Sequence, residues 1–121
     1  MEEIDRQRKE WIQRRAASIR KTYENYYNAK RINAEKLTWV LGIFVLEEED
    51  AQTDSCFTVS GETGRRELTL RKDLNPAEKQ RLILSEIGYY LLYYRRGDFQ
   101  HQFPFLQLEE PEVSLFVEEL A

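Results

Sequence analysis

Leu82, Ile83, Ile87, Tyr90, Leu91 and Tyr94 recur at helical spacing and cover a broad face of a helix running from residue 76 to about 95. A helix with so wide an apolar arc must sit at the centre of the domain, with other elements built against it. Its ends are well marked. Asn75 is suited to cap the first turn, Pro76 occupies the first helical position, and Glu78 completes a capping-box pattern. Arg95 and Arg96 suit the negative end of the helix dipole, and Gly97 suits the stop.

The remaining elements are shorter. Residues 5–28 predict a long amphipathic helix with Ile12, Ala16, Ile19, Tyr23 and Tyr26 on one face. Asn33 is a candidate cap for a short helix over 34–41, which Gly42 ends. Ile43-Phe44-Val45-Leu46 reads as a strand closed by the acidic loop Glu47-Glu48-Glu49-Asp50. Residues 55–60 and 67–71 alternate apolar and polar side chains, and the short turn at Gly61-Glu62-Thr63-Gly64 predicts an antiparallel hairpin. Residues 98–110 read as irregular, and residues 111–120 as a final helix.

Hydrophobic residues make up 41% of the chain and charged residues 33%, a globular balance. No apolar run approaches the roughly 18 residues that span a bilayer. The start, Met1-Glu2-Glu3-Ile4-Asp5, is acidic and lacks a signal-peptide pattern, so a cytoplasmic location and no membrane association are expected. The lone Cys56 excludes an internal disulfide and reads as a small strand residue. The net charge of −4 conceals bands: residues 1–36 and 65–96 are rich in Lys and Arg, whereas residues 37–64 and 97–121 carry acids and no base. Pairing between bands within the fold is the expected outcome. Nucleic-acid binding through Arg14, Arg15, Arg20 and Lys21 of the first helix is the alternative, which no dense basic run supports.

Within the central helix, Ser85, Glu86 and Tyr89 stand in the spacing of a zinc-peptidase His-Glu-x-x-His motif. There, two imidazoles four residues apart grip the metal on one helical face, and the Glu between them is the general base. Here the acid is retained and both imidazoles are gone. A serine hydroxyl and a neutral phenol are poor zinc ligands. The chain's one histidine, His101, falls in the segment read as a loop and is expected at the surface, with a partner contact as the alternative. Neither a metal nor another cofactor is therefore expected. Ser85 lacks the elbow and the neighbouring base of a serine nucleophile, and a mid-helix serine ordinarily bonds back to the preceding turn.

With these residues the chain resembles the ImmA/IrrE family of metallopeptidases. Leu41-Gly42-Ile43-Phe44-Val45 is similar to that family's entry into its sheet, and Gly64-Arg65-Arg66-Glu67-Leu68-Thr69-Leu70 to the strand before its active-site helix. Glu78 through Leu92 resembles that helix except at both histidines. Glu112-Val113-Ser114-Leu115-Phe116-Val117-Glu118-Glu119-Leu120 is similar to its C-terminal helix, which in the family supplies an acidic third ligand. Glu112 is the better match for that ligand, and Glu110 is the other candidate.

The resemblance implies an α+β fold in one domain over residues 1–121. N-terminal helices, a small three-stranded, mostly antiparallel sheet, a central zincin-like helix and a short C-terminal helix are expected. It also implies a family role in which helix-turn-helix repressors of mobile elements and phages are the substrates. Without the histidines, the expectation is a non-enzyme that binds a protein partner, either such a regulator or another host or phage protein, through the former cleft: Ser85, Glu86, Tyr89, Tyr93, Glu110 and Glu112. Tyrosines suit such contacts, being large and amphipathic, and equally suit filling the space that zinc and two imidazoles would take. A metallopeptidase with non-standard ligands is the alternative from the enzyme class.

Overall fold

The computed structural model describes residues 4–103 and 109–121. The acidic start at Met1-Glu2-Glu3 and residues 104–108 of the expected irregular stretch lie outside the described residues. The order is α1 (Arg6–Tyr27), α2 (Ala34–Val40), β1 (Ile43–Glu48), β2 (Ser55–Val59), β3 (Arg66–Arg71), α3 (Pro76–Tyr93), β4 (Phe99–Phe103) and α4 (Pro111–Leu120). The mixed α+β class and the four helices agree with the sequence reading. Among the described residues, no helix is long and apolar enough to cross a membrane.

The sheet differs from the three-stranded, mostly antiparallel one expected. It has four strands in the order β1-β3-β2-β4. β2 pairs antiparallel with β3, as the turn chemistry predicts, and β4 pairs antiparallel with β2. β1, however, runs parallel to β3, from Ile43 opposite Arg66 to Glu48 opposite Arg71. β4 comes from the stretch read as irregular. Phe99, His101 and Phe103 alternate with Gln100 and Gln102, and that alternation is the strand signal. Glu47 and Glu48, expected in a loop, belong to β1.

Local chemistry sets the helix ends. Asp5 accepts from the Gln7 N–H at 2.7 Å, Asn33 from Lys36 at 3.1 Å and Asn75 from Glu78 at 2.8 Å, each satisfying a donor that the first turn leaves open. In α1, Ile12, Ala16 and Tyr23 are buried as expected, but Tyr26 is 71% exposed. Tyr27 turns inward instead and donates from its hydroxyl to the Lys36 carbonyl at 3.1 Å. Both tyrosines lie about one turn beyond Tyr23, and the start of α2 lies on the side of Tyr27. α3 ends at Tyr93, short of the arginines expected in its last turn.

α3 lies on one face of the sheet and α4 lies on α3, with α1 packed against α4. Every residue from Ile83 to Tyr89 is consequently buried, because the sheet covers one side of the helix and α4 the other. Gly88 marks the closest approach: a Cβ there would stand 3.2 Å from side-chain atoms of both Val113 and Phe116. Gly88→Leu, which forces a branched side chain into that contact, should destabilise the fold by about 2–3 kcal/mol. Urea unfolding measures it, and a variant as stable as the parent would show that α3 and α4 are not in contact there.

Candidate functional site

The expected pairing of Ser85 and Tyr89 on one face of α3, with Glu86 about 100° round, is what the helix delivers. What each residue meets there differs from an open cleft. Glu86 is fully buried. One carboxylate oxygen accepts from the Ser55 hydroxyl of β2 at 2.8 Å, and the other lies 2.5 Å from Nδ1 of His101 on β4. His101 is therefore not the exposed loop residue expected. Its side chain is 18% exposed, and its ring stacks on Tyr89 with centroids 3.7 Å apart and planes 16° apart. Phe103 closes the cluster, edge-on to both rings. Burial pushes the Glu86 carboxyl above its ordinary value, and the contacts with His101 and Ser55 pull part of the way back.

Ser85 and Tyr89 are buried too. The Ser85 hydroxyl donates to the carboxylate of Glu109, which also holds Arg81, through its Nε at 3.0 Å, and the Ser114 hydroxyl at 2.9 Å. The Tyr89 oxygen accepts from the Glu110 N–H at 3.3 Å. Its phenol is shifted upward, first by burial, which holds it neutral. Glu112, the better match to an acidic third ligand, lies elsewhere. It takes Arg8 Nε at 2.7 Å and the Tyr93 hydroxyl at 2.9 Å. The Arg8 hydrogen bond holds Glu112 below the usual carboxylate range, while burial and then the bond to Glu112 push Tyr93 well above its own.

Four of the six candidate residues fall into three hydrogen-bond networks: Ser85 with Glu109, Glu86 with Ser55 and His101, and Tyr93 and Glu112 with Arg8; Tyr89 stacks on His101 of the second. Glu110 is exposed, and its backbone serves Tyr89. The acid that faces Ser85 is Glu109, which sequence reasoning missed. The resemblance to a C-terminal helix points to Glu112 and Glu110, and Glu109 stands one residue further upstream. His101 and Ser55 were legible only as inward positions of alternating strands.

The donors on the α3 face do not fit zinc. They comprise one carboxylate, one hydroxyl and one neutral phenol, each already hydrogen-bonded to a protein partner, whereas a catalytic zinc takes about three anionic or imidazole ligands. Among the described residues no group of three His, Cys, Asp or Glu side chains is placed to hold a metal ion. The Ser55-Glu86-His101 chain is not a hydrolase triad either. Here the acid stands between serine and histidine, so no imidazole is positioned to take a proton from the hydroxyl, and Ser55 is buried. Cys56 faces the opposite side of the sheet, its thiol pushed up by burial. The basic residues of α1 are partly engaged inside the fold: Arg15 donates to the Leu91 carbonyl at 3.1 Å and Arg20 to that of Leu120 at 2.9 Å.

The folded protein binds the Glu86 proton more tightly than the unfolded chain does. Taken alone, this group lowers stability as pH rises from its ordinary value of 4.5 through its raised one. Glu86→Gln keeps the shape and removes that titration. Relative to the parent, it should gain stability between about pH 5 and about pH 7.5 in urea unfolding. Glu86→Ala leaves Ser55 and His101 facing a void and should cost about 2–4 kcal/mol at either pH. A Gln variant that tracks the parent at every pH would mean that the carboxyl is not held in a raised state.

Comparison with protein-family models, with curated proteins and with solved structures finds no match to this chain.

Proposed function

We propose that the chain is a non-catalytic relative of the ImmA/IrrE peptidases that acts by binding another protein, a helix-turn-helix regulator being the partner class the resemblance points to. One observation carries the reading. The two positions of α3 at which a zincin presents imidazoles hold Ser85 and Tyr89, and each is already satisfied by the segment leading into α4. A hydroxyl bonded to Glu109 and a neutral phenol capped by a backbone N–H supply neither a Lewis acid nor an activated water.

The buried state of Ser85, Glu86 and Tyr89 favours their space-filling role over direct contact. Binding then falls to the rim, where Tyr93, Glu112 and His101 are partly open and Glu110 is exposed. Acidic side chains at such a rim suit the basic surface of a DNA-binding protein.

Two measurements test this. Purified protein should carry no stoichiometric zinc and leave a bound regulator intact by mass spectrometry; zinc at about one per chain, or a cut partner, would reverse the reading. The second restores the motif. Ser85→His with Tyr89→His should confer zinc binding at about one ion per chain, and adding Glu109→Ala should abolish it, whereas adding Glu112→Ala should not. A folded double variant that takes up no zinc would remove the basis for likening α3 to a peptidase helix.

A further inference from the structure

β1 is an edge strand. Among the described residues it pairs on one side alone, with β3. Its other edge is where the apolar surface of the molecule gathers. Four large hydrophobic side chains are prominently exposed among the described residues. Three of them, Trp39 at 66%, Phe44 at 55% and Leu46 at 48%, lie on β1 or at the end of the helix leading into it. Natural proteins ordinarily blunt an open edge with charge, a bulge or proline, because its free peptide groups invite another strand. Here the middle of the edge, Ile43 to Leu46, carries none of these.

We infer that this edge is a self-association surface on which a second copy of the chain pairs its own β1 antiparallel, joining two four-stranded sheets into one.

The ladder itself fixes the register. The Glu48 carbonyl accepts from Lys72 at 2.9 Å, so the peptide groups of Phe44, Leu46 and Glu48 point toward β3. Those of Ile43, Val45 and Glu47 therefore point to the open edge. An antiparallel pair needs outward-pointing residues opposite one another. Centring the two-fold axis on Val45 satisfies this for all three: Val45 meets Val45 of the second copy, and Ile43 meets Glu47 in both directions. The same register sets Phe44 against Leu46 of the second copy, and Leu46 against Phe44, at the closely spaced non-hydrogen-bonded positions of the open sheet face. The interface is isologous and closes at two. A two-fold axis along the strand would instead send the two apolar pairs to opposite faces.

Charge supports the same occupant. The strand is acidic at its far end, with Glu47, Glu48, Glu49 and Asp50. Arg65 sits at its near end, with its guanidinium 4.5 Å from the Phe44 ring centroid and its Nε 2.5 Å from Glu67 on β3. Because Ile43 lies opposite Arg66, Arg65 flanks Gly42. In the two-fold register, Gly42 faces Glu48 of the second copy. A residue without a side chain thus separates a cation from the incoming acid on the same sheet face, and Arg65, half-exposed even with Glu67 beside it, can reach across to it as a second partner. Antiparallel pairing sets each acidic end on the partner's basic end. A parallel arrangement would stack acid on acid.

Analytical ultracentrifugation of the full chain up to about 100 µM tests the inference. The expected result is a reversible dimer. Leu46→Lys, an exposed site whose change leaves the fold intact by circular dichroism, should weaken association at least about tenfold. Arg65→Glu and Glu48→Arg should each weaken it, and the two changes together should restore it, an outcome that a nonspecific hydrophobic contact does not produce. A monomeric parent throughout that range, capture of an extended foreign peptide in place of self-pairing, or a dimer indifferent to Leu46→Lys would overturn the inference.

Discussion

Glu86 joins the central helix to two strands through a single carboxylate. Ser55 of β2 holds one oxygen and His101 of β4 the other, with the acid fully buried. Removing a carboxylate from water costs several kcal/mol even after local relaxation, so this arrangement persists only while both partners stay in place. That dependence ties β4, an edge strand only five residues long, to the middle of the domain. The stack of His101 on Tyr89 extends the same tie to the next turn of α3. Loss of any one member leaves a buried polar group without a partner, and this makes the cluster a device for fixing the position of α3 over the sheet more than a source of net stability.

The same cluster bears on what the α3 face can offer chemically. In a zinc peptidase the glutamate of the helix must meet a metal-bound water. Here Glu86 is turned to the sheet and engaged at both oxygens, while Ser85 and Tyr89 are engaged by Glu109 and by the Glu110 backbone. Tyr89 spans from the His101 ring to the segment before α4, so one side chain occupies the space between the two walls. Each polar atom of the frame answers to another within the protein. On the reading proposed above, groups that bond internally stand where a peptidase helix would present ligands, and they meet the same packing demands on a central helix.

What could be read from the sequence followed the strength of local signals. Asn75-Pro76 with Glu78 marked the start of α3, and alternating residues around a glycine turn marked β2 and β3. β4 escaped because glutamine has little strand preference and because its neighbours on both sides read as turn residues; its Phe-x-His-x-Phe alternation was the usable clue. The parallel pairing of β1 has no local signature, since it is decided by which edge of the hairpin the strand meets. Glu109 escaped for a related reason. Its role depends on where the segment before α4 approaches Ser85, and no spacing within either element encodes that approach. Tyr26 and Tyr27 divide the same way: helical periodicity places both near the buried stripe, and only the neighbouring α2 decides between them.

The banded charge pattern resolves in the same tertiary terms. Lys79 of the second basic band bonds Glu47 at 2.8 Å and Glu35 at 3.0 Å, Lys72 bonds Glu49, and Arg8 of the first band bonds Glu112 of the last. Pairs as exposed as Lys72 with Glu49 contribute little each, but together they let acidic β1 lie beside the basic start of α3, and acidic α4 beside α1. The cations of these pairs are not free for a phosphate backbone, which draws on many cations on one face. Glu48 of β1 and Arg65, itself paired with Glu67, lie on the outward face of the sheet at opposite ends of Phe44 and Leu46. An apolar centre flanked by opposite charges is self-complementary under a two-fold rotation, the symmetry of the self-association inferred above.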